Sequence, residues 1–266
     1  MLRLDKFLCE MKTGTRSQVK ALVKKGAVTV NGITAKSPEQ KIDENSDCIC
    51  VNGSEVSYRK YVYFMLHKPA GYVSATRDNH DKTVLDLMRA QKNPLLDREL
   101  FPVGRLDKDT EGLLLITDDG ELAHRLLSPS RHVPKTYYVE IDGCLSEDQQ
   151  MSLRQGVDIG EKQRQTDGTQ EYIPEKTRPA GLTQAAQDEF CSDRAESAWL
   201  LTITEGKFHQ VKRMFAAVER EVLTLHRETF GSLVLDEALP CGQWRELTEA
   251  EASALYRDAQ MEEKHG

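Results

Sequence analysis

The 266-residue chain lacks most features that would mark a membrane, secreted, metal-binding or nucleotide-driven protein. It has no apolar run near the length of a membrane span and no signal-peptide pattern at its start, so a cytoplasmic protein is expected. Its six cysteines (Cys9, Cys48, Cys50, Cys144, Cys191 and Cys241) show no CxxC spacing and no His-rich partner set. That excludes the common zinc motifs and fits reduced thiols. There is no Walker A string, HExxH, GxSxG or dinucleotide fingerprint, so no nucleotide cofactor and no metal is expected. Internal repeats are also missing. Aromatics are sparse, at 6%, and the net charge of −7 argues at first against a polyanionic partner.

The distribution of charge reverses that last inference. Residues 1–36 hold eight Lys and Arg against two Asp and Glu, while the remainder is acidic. A basic head on an acidic body suits phosphate contacts concentrated at one end. Within the head, Leu4, Leu8 and Met11 recur at helical spacing. Gly14-Thr15 can start a second helix, with Val19, Leu22 and Val23 on its apolar face and Arg16, Lys20 and Lys24 opposite. Gly26 ends that helix, and Asn31-Gly32 between Val28, Val30 and Ile33 is a hairpin turn signal. A solvated helix face would explain such a Lys row equally well. A small module over 1–58 and a larger domain over 61–258 are expected, with 54–61 as linker.

The larger domain is organised around 104–120, GRLDKDTEGLLLITDDG. Leu113 to Ile116 is an uninterrupted apolar run, as expected of a strand covered on both faces. Asp118-Asp119-Gly120 reads as a turn, with Gly120 free to take positive φ, into a helical pattern that begins at Glu121. Before the strand lies a dense charged loop, in which Asp107 is either a working carboxylate or one member of a set of surface ion pairs. Further strands are expected at 61–66, 135–141, 199–204, 222–225 and 233–235, with short helices at 83–88 and 146–155. His67 to Gly71 would stop the first of these strands. A helical piece is expected within the polar loop 89–100, a basic loop at 128–135, and a helix on whose apolar face Phe208, Val211, Phe215 and Val218 recur. Gln243 to Thr248 opens a final helix. Residues 160–176 and 184–197 read as long polar loops, and 261–266 as a frayed end.

Several of these strings resemble one family. RLDKFL…TRSQVKALVKKGAVTVNG is similar to the S4 RNA-binding domain. KPxGxVS at 68–74, GRLD with T-x-GLLL, and K-x-Y at 135–137 resemble the pseudouridine synthases. EGKFHQVKRMFAAV at 205–218 and LHRE at 225–228 resemble the RsuA-type branch, which acts on small-subunit ribosomal RNA, more than they do the large-subunit branches. The resemblance implies an α+β fold: an S4 domain, then a synthase domain with a mixed, mainly antiparallel central sheet flanked by helices. It also implies Asp107, Lys212 and Tyr137 as catalytic residues, with Lys212 the cation beside Asp107 and Arg105 a possible second. Arg105, Thr110, Gln210 and Arg213 become substrate-binding candidates. On the S4 module, Arg3, Lys6, Arg16, Ser17, Lys20, Lys24 and Lys25 become the RNA-backbone contacts, which position without reading sequence.

The expected reaction moves the ribose from N1 to C5 of one uracil, without metal or redox cofactor, in 16S RNA. The expected partner is ribosomal RNA or an assembly particle, and the expected state a monomer. A large-subunit synthase, or a non-catalytic S4-containing assembly protein, remain the alternatives; an unrelated glycosidase is disfavoured for want of a second carboxylate in comparable context.

Overall fold

A computed structural model describes residues 1–44, 46–56, 58–91, 93–164, 170–186 and 190–261, with the backbone alone at 162–164. The expectation for the C-terminal end therefore lies outside the described residues at 262–266, and those for the two polar stretches do so at 165–169 and 187–189.

The basic head folds as its pattern predicts. Helix Leu4–Glu10 buries Leu4, Phe7 and Leu8. Helix Arg16–Lys24 opens with a reciprocal Thr15–Gln18 capping box and turns Val19 and Val23 inward. Asn31 and Gly32 both take positive φ (51° and 77°), the twist a two-residue hairpin needs, and Val30 pairs with Ile33 across it. The four-stranded sheet runs Ile33–Thr34, Val28–Val30, Ile49–Val51, Ser54–Glu55. The linker is shorter than expected. Ser54–Glu55 belongs to the sheet, and Tyr58 stacks on Phe7 with ring centroids 5.7 Å apart. The carbonyls of Arg59 and Lys60 accept from the Arg98 guanidinium (2.9 and 2.5 Å), which also pairs with Asp118 (2.5 Å).

The larger sheet is mixed and mainly antiparallel. Its central path runs Gly181–Gln184, Ser197–Ile203, Lys135–Ile141, Val222–Phe230, Glu111–Thr117, Tyr63–Lys68, Trp244–Glu246. The contact between Val222–Phe230 and Glu111–Thr117 is parallel. Both faces are covered. Leu114 and Ile116 join a core with Val84, Met88, Val211 and Phe215, whereas Leu113 and Leu115 join a second core with Leu122, Leu126 and Leu255. This two-sided burial is why Leu113 to Ile116 carries no polar alternation.

Four further expectations change. Gly120 does not take positive φ; it is the first residue of helix Gly120–Leu127, which Asp119 caps by accepting from Leu122 N (3.0 Å). His67 and Lys68 continue the first strand rather than stopping it, since only Pro69 lacks the ladder donor. Residues 161–164 and 170–173 pair as an antiparallel hairpin; its exposed second strand buries no face, so no apolar alternation betrays it. Trp244–Glu246 is an edge strand, its Trp edge-on to Phe64 at 5.1 Å. The final helix begins only at Glu249, behind a Thr248–Glu251 capping box.

Candidate active site

The loop carrying Asp107 is held by the 68–74 segment, through main-chain atoms. Lys68 is fully buried, and its ammonium donates to the carbonyls of Pro69 (3.1 Å), Lys108 (3.3 Å) and Thr110 (2.6 Å). Burial pushes the Lys68 amine down to about 8, against the pull of Glu111, Asp109 and Asp107. Gly71 N donates to the Lys108 carbonyl (2.7 Å). Ser74 Oγ donates to Leu106 O (2.9 Å) and accepts from Leu106 N (3.0 Å). Asp107 is thus flanked on both sides by fastened peptide groups. The strand that follows begins at Glu111, and Gly112 lets it lie against Arg227. A Cβ there would stand 2.4 Å from the Arg227 carbonyl oxygen, at a φ of +102°.

Asp107 and Tyr137 line one cavity of about 570 Å³, together with Arg105, Phe208 and His209. Tyr137 is buried, on strand Lys135–Ile141. Tyr138 lies on the other face, its hydroxyl donating to Glu140 (2.9 Å). The side chain that faces Asp107 is not the expected cation. His209 Nε2 lies 3.4 Å from Asp107 Oδ1, while Lys212 Nζ pairs with both oxygens of Asp109 at 2.6 Å. Thr110 N donates to Asp107 O (3.1 Å), so the chain turns between these acids and Asp109 meets the helix Gln210–Ala217 instead. Burial pushes the Asp109 carboxyl up, but the Lys212 hydrogen bond and charge outweigh it and hold it below the ordinary value. Asp107, Asp109, His209 and Lys212 nevertheless border a common pocket beside Gly71.

Other expected contacts divide. Arg105 is exposed at the cavity wall, with no carboxylate within 4 Å among the described residues. Thr110 is buried beside the cavity, and its hydroxyl has no partner there. Gln210 is committed to the fold: its side chain accepts from Lys207 N (2.9 Å) and donates to Glu205 (2.8 Å). Arg213 is likewise engaged, bonding Glu175 (2.9 Å) and the Ile159 carbonyl, so it ties the segments that flank the two paired strands to the helix. Both side chains are thus engaged with neighbouring main chain and carboxylates. On the head, Arg16, Ser17, Lys20, Lys24 and Lys25 share an exposed stretch, whereas Arg3 is paired with Asp5 (2.7 Å) and Lys6 with Glu10 (3.7 Å).

Sequence reasoning missed His209, Phe208, Arg227 and the ammonium of Lys68. His209 sits at a helix N-cap with φ +46°, and Phe208, expected in the core, is 74% exposed and stacked on His209 at 3.8 Å. The adjoining Glu205-Gly206-Lys207 turn was the available signal, since a residue entering a helix from a turn need not follow its apolar face.

Among the described residues no helix is long and apolar enough to cross a membrane, and no three His, Cys, Asp or Glu side chains are grouped to hold a metal ion. A family model described as RNA pseudouridylate synthase matches residues 62–217, and an S4 domain model matches 2–48. The chain is 44% identical over 256 residues to an RNA pseudouridine synthase of Bacillus subtilis (strain 168), covering 96% of this chain and 98% of that one. It is 39% identical over 257 residues to the ribosomal small subunit pseudouridine synthase A of Vibrio cholerae, covering 96% and 100%. Among solved structures it is similar to a pseudouridylate synthase crystal structure, with a TM-score of 0.58 and 37% identity over 96% of this chain and 100% of that one.

Proposed function

The chain belongs to the RNA pseudouridylate synthase family, and from that premise we propose that it converts one uridine of small-subunit ribosomal RNA to pseudouridine. The observation that carries the reading is the shared cavity of Asp107 and Tyr137, with the Asp107 peptide groups anchored on both sides. The small-subunit target is supported by full-length similarity to the Vibrio cholerae enzyme of that name.

The reaction is an isomerisation. The N1–C1′ bond breaks, a C5–C1′ bond forms, and the proton on C5 is lost while N1 gains one. Atoms and electrons balance without an oxidant or a hydrolytic water. One carboxylate suffices because the departing base stays in the pocket and becomes the new bonding partner, unlike glycoside hydrolysis with its second carboxylate. Asp107 is that carboxylate. Its anchored loop keeps the negative charge where the ribose develops positive charge, which limits reorganisation during the reaction. Tyr137 supplies a ring plane for the base. Extruding a uridine from RNA structure costs roughly a few kcal/mol, and a stacked aromatic returns about 1–3 kcal/mol of that. Lys212 acts through Asp109, and His209 is the group that faces Asp107. Arg105, exposed on the wall, is placed to enter the gap left by the base. The head contributes Arg16, Ser17, Lys20, Lys24 and Lys25 as contacts to the RNA backbone.

The test is release of tritium from a 16S transcript labelled at uridine C5. Wild type should release it stoichiometrically at one site, and Asp107→Asn should abolish release while binding RNA normally. Turnover by Asp107→Asn would remove Asp107 from the mechanism.

A further inference from the structure

Among the described residues, two cations of the active-site cavity have no counter-ion within 4 Å. Arg227 is 2% exposed, and its Nε donates to the Leu113 carbonyl (2.8 Å), but its Nη2 is buried without a hydrogen-bond partner. Lys135 donates to the Val133 carbonyl (3.0 Å). Both groups lie over the Phe230 ring, at 5.4 Å for Lys135 and 5.2 Å for Arg227. Among the described residues neither has a carboxylate within 4 Å, and both line the cavity that holds Asp107 and Tyr137. Burying one unpaired charge is costly, and placing two of like sign together is more so. Such a pair is stable in use when an anion completes it.

Geometry indicates which anion. Lys135 and Tyr137 are two residues apart on one strand and both line the cavity, where the pairing with strand Val222–Phe230 shifts register between Thr136 and Tyr137. Arg227 is the cross-strand partner of Tyr137. A base held on Tyr137 therefore shares its cavity with both cations. A guanidinium beside an ammonium is a phosphate-binding combination. We propose that Lys135 and Arg227 form a phosphate subsite that takes the backbone phosphate adjoining the everted uridine. The proposal rests on the reading of this cavity as a uridine site. Burial and the Arg227 charge push the Lys135 amine down to about 8, so the subsite also has a built-in pH limit.

The full-length protein is titrated with uridine, uridine 5′-monophosphate, uridine 3′-monophosphate and inorganic phosphate by calorimetry. At pH 7, one or both nucleotides should bind at least tenfold tighter than uridine, and inorganic phosphate should compete with them but not with uridine. Lys135→Gln should erase the preference. Lys135→Arg should keep it up to pH 9, where wild type loses most of it. Arg227→Lys, which preserves the charge in a buried position, should weaken it less than Lys135→Gln does. Equal binding of nucleotide and nucleoside, or a preference that Lys135→Gln leaves intact, overturns the subsite. The source of the phosphate is read from turnover: a fivefold or greater rise in KM for 16S RNA in Lys135→Gln assigns it to the RNA backbone. An unchanged KM would assign it to free nucleotide and overturn the proposal as made. Nucleotide preference is measured without turnover, so a wild-type protein that isomerises no RNA would defeat the proposed function while leaving the subsite measurable.

Discussion

Gly112 sets how closely two strands meet at the end of the catalytic loop. With a Cβ, the residue would collide with the main chain of Arg227 at 2.4–2.5 Å and would hold an unfavourable φ. No flexible side-chain end is available to move aside. Gly112→Ala should therefore cost roughly 3 kcal/mol or more of stability, the range for backbone strain combined with overpacking. Urea unfolding would show this as a lower midpoint, and a variant within about 0.5 kcal/mol of wild type would contradict the parallel register described here. At this scale the motif strings singled out Asp107, Tyr137 and Lys212, and Asp107 borders one pocket with Tyr137 and another with Lys212. They did not reveal which acid Lys212 would meet. Asp107 and Asp109 are two residues apart in a turn, and spacing alone cannot say which of them faces the helix. His209 was hidden for a related reason: a single His at a helix entrance has no periodic signature.

Among elements, the last strand and the last helix are joined by one ion network. Arg245 on Trp244–Glu246 bonds Asp236 (2.7 Å) and both carboxylate oxygens of Glu251 (2.8 and 2.9 Å) on the helix. The Arg245 hydrogen bonds hold the Glu251 carboxyl down to about 2, from an ordinary value of 4.5. A depressed acid contributes stability that is fully present above about pH 4.5 and drains away as pH falls toward 2. The pair is about a quarter exposed, so the full linkage value is discounted to about 1–2 kcal/mol. Thermal unfolding followed from pH 5 to 2 should thus fall more steeply in wild type than in Glu251→Gln, and parallel slopes would discount the pairing. This edge was the least legible part of the fold. Three residues without alternation read as the start of a helix, because the Trp244 contact with Phe64 is made across the sheet and not along the chain. The 161–173 hairpin was missed similarly. The central strand, Leu113 to Ile116, was legible because burial on both faces leaves its mark in consecutive residues.

Across the whole molecule, charge is segregated: a basic head rests beside an acidic body, and Arg98 bonds the two linker carbonyls between them. Lys20 and Lys24 are exposed on the head without carboxylate partners within 4 Å among the described residues. Replacing both with Ala should weaken binding to 16S RNA and reduce the slope of log affinity against log salt by about 1.5, near the counterion release of two phosphate contacts. Filter binding over a salt series would measure it, and an unaltered slope would take this helix face out of the interface. The asymmetry of charge could be read from the sequence, but the strand order could not, since residues 111–117 pair with 222–230 only through the completed sheet. The grip on the catalytic loop carries one further meaning. Lys68 and Ser74 address peptide atoms of 106, 108 and 110, never the side chains at 105, 108 and 109. The side chain at 108, which bonds Asp81, can be rewritten to suit a different RNA while the reactive carboxylate keeps its coordinates, so the scaffold separates the wording of its target from the chemistry performed on it.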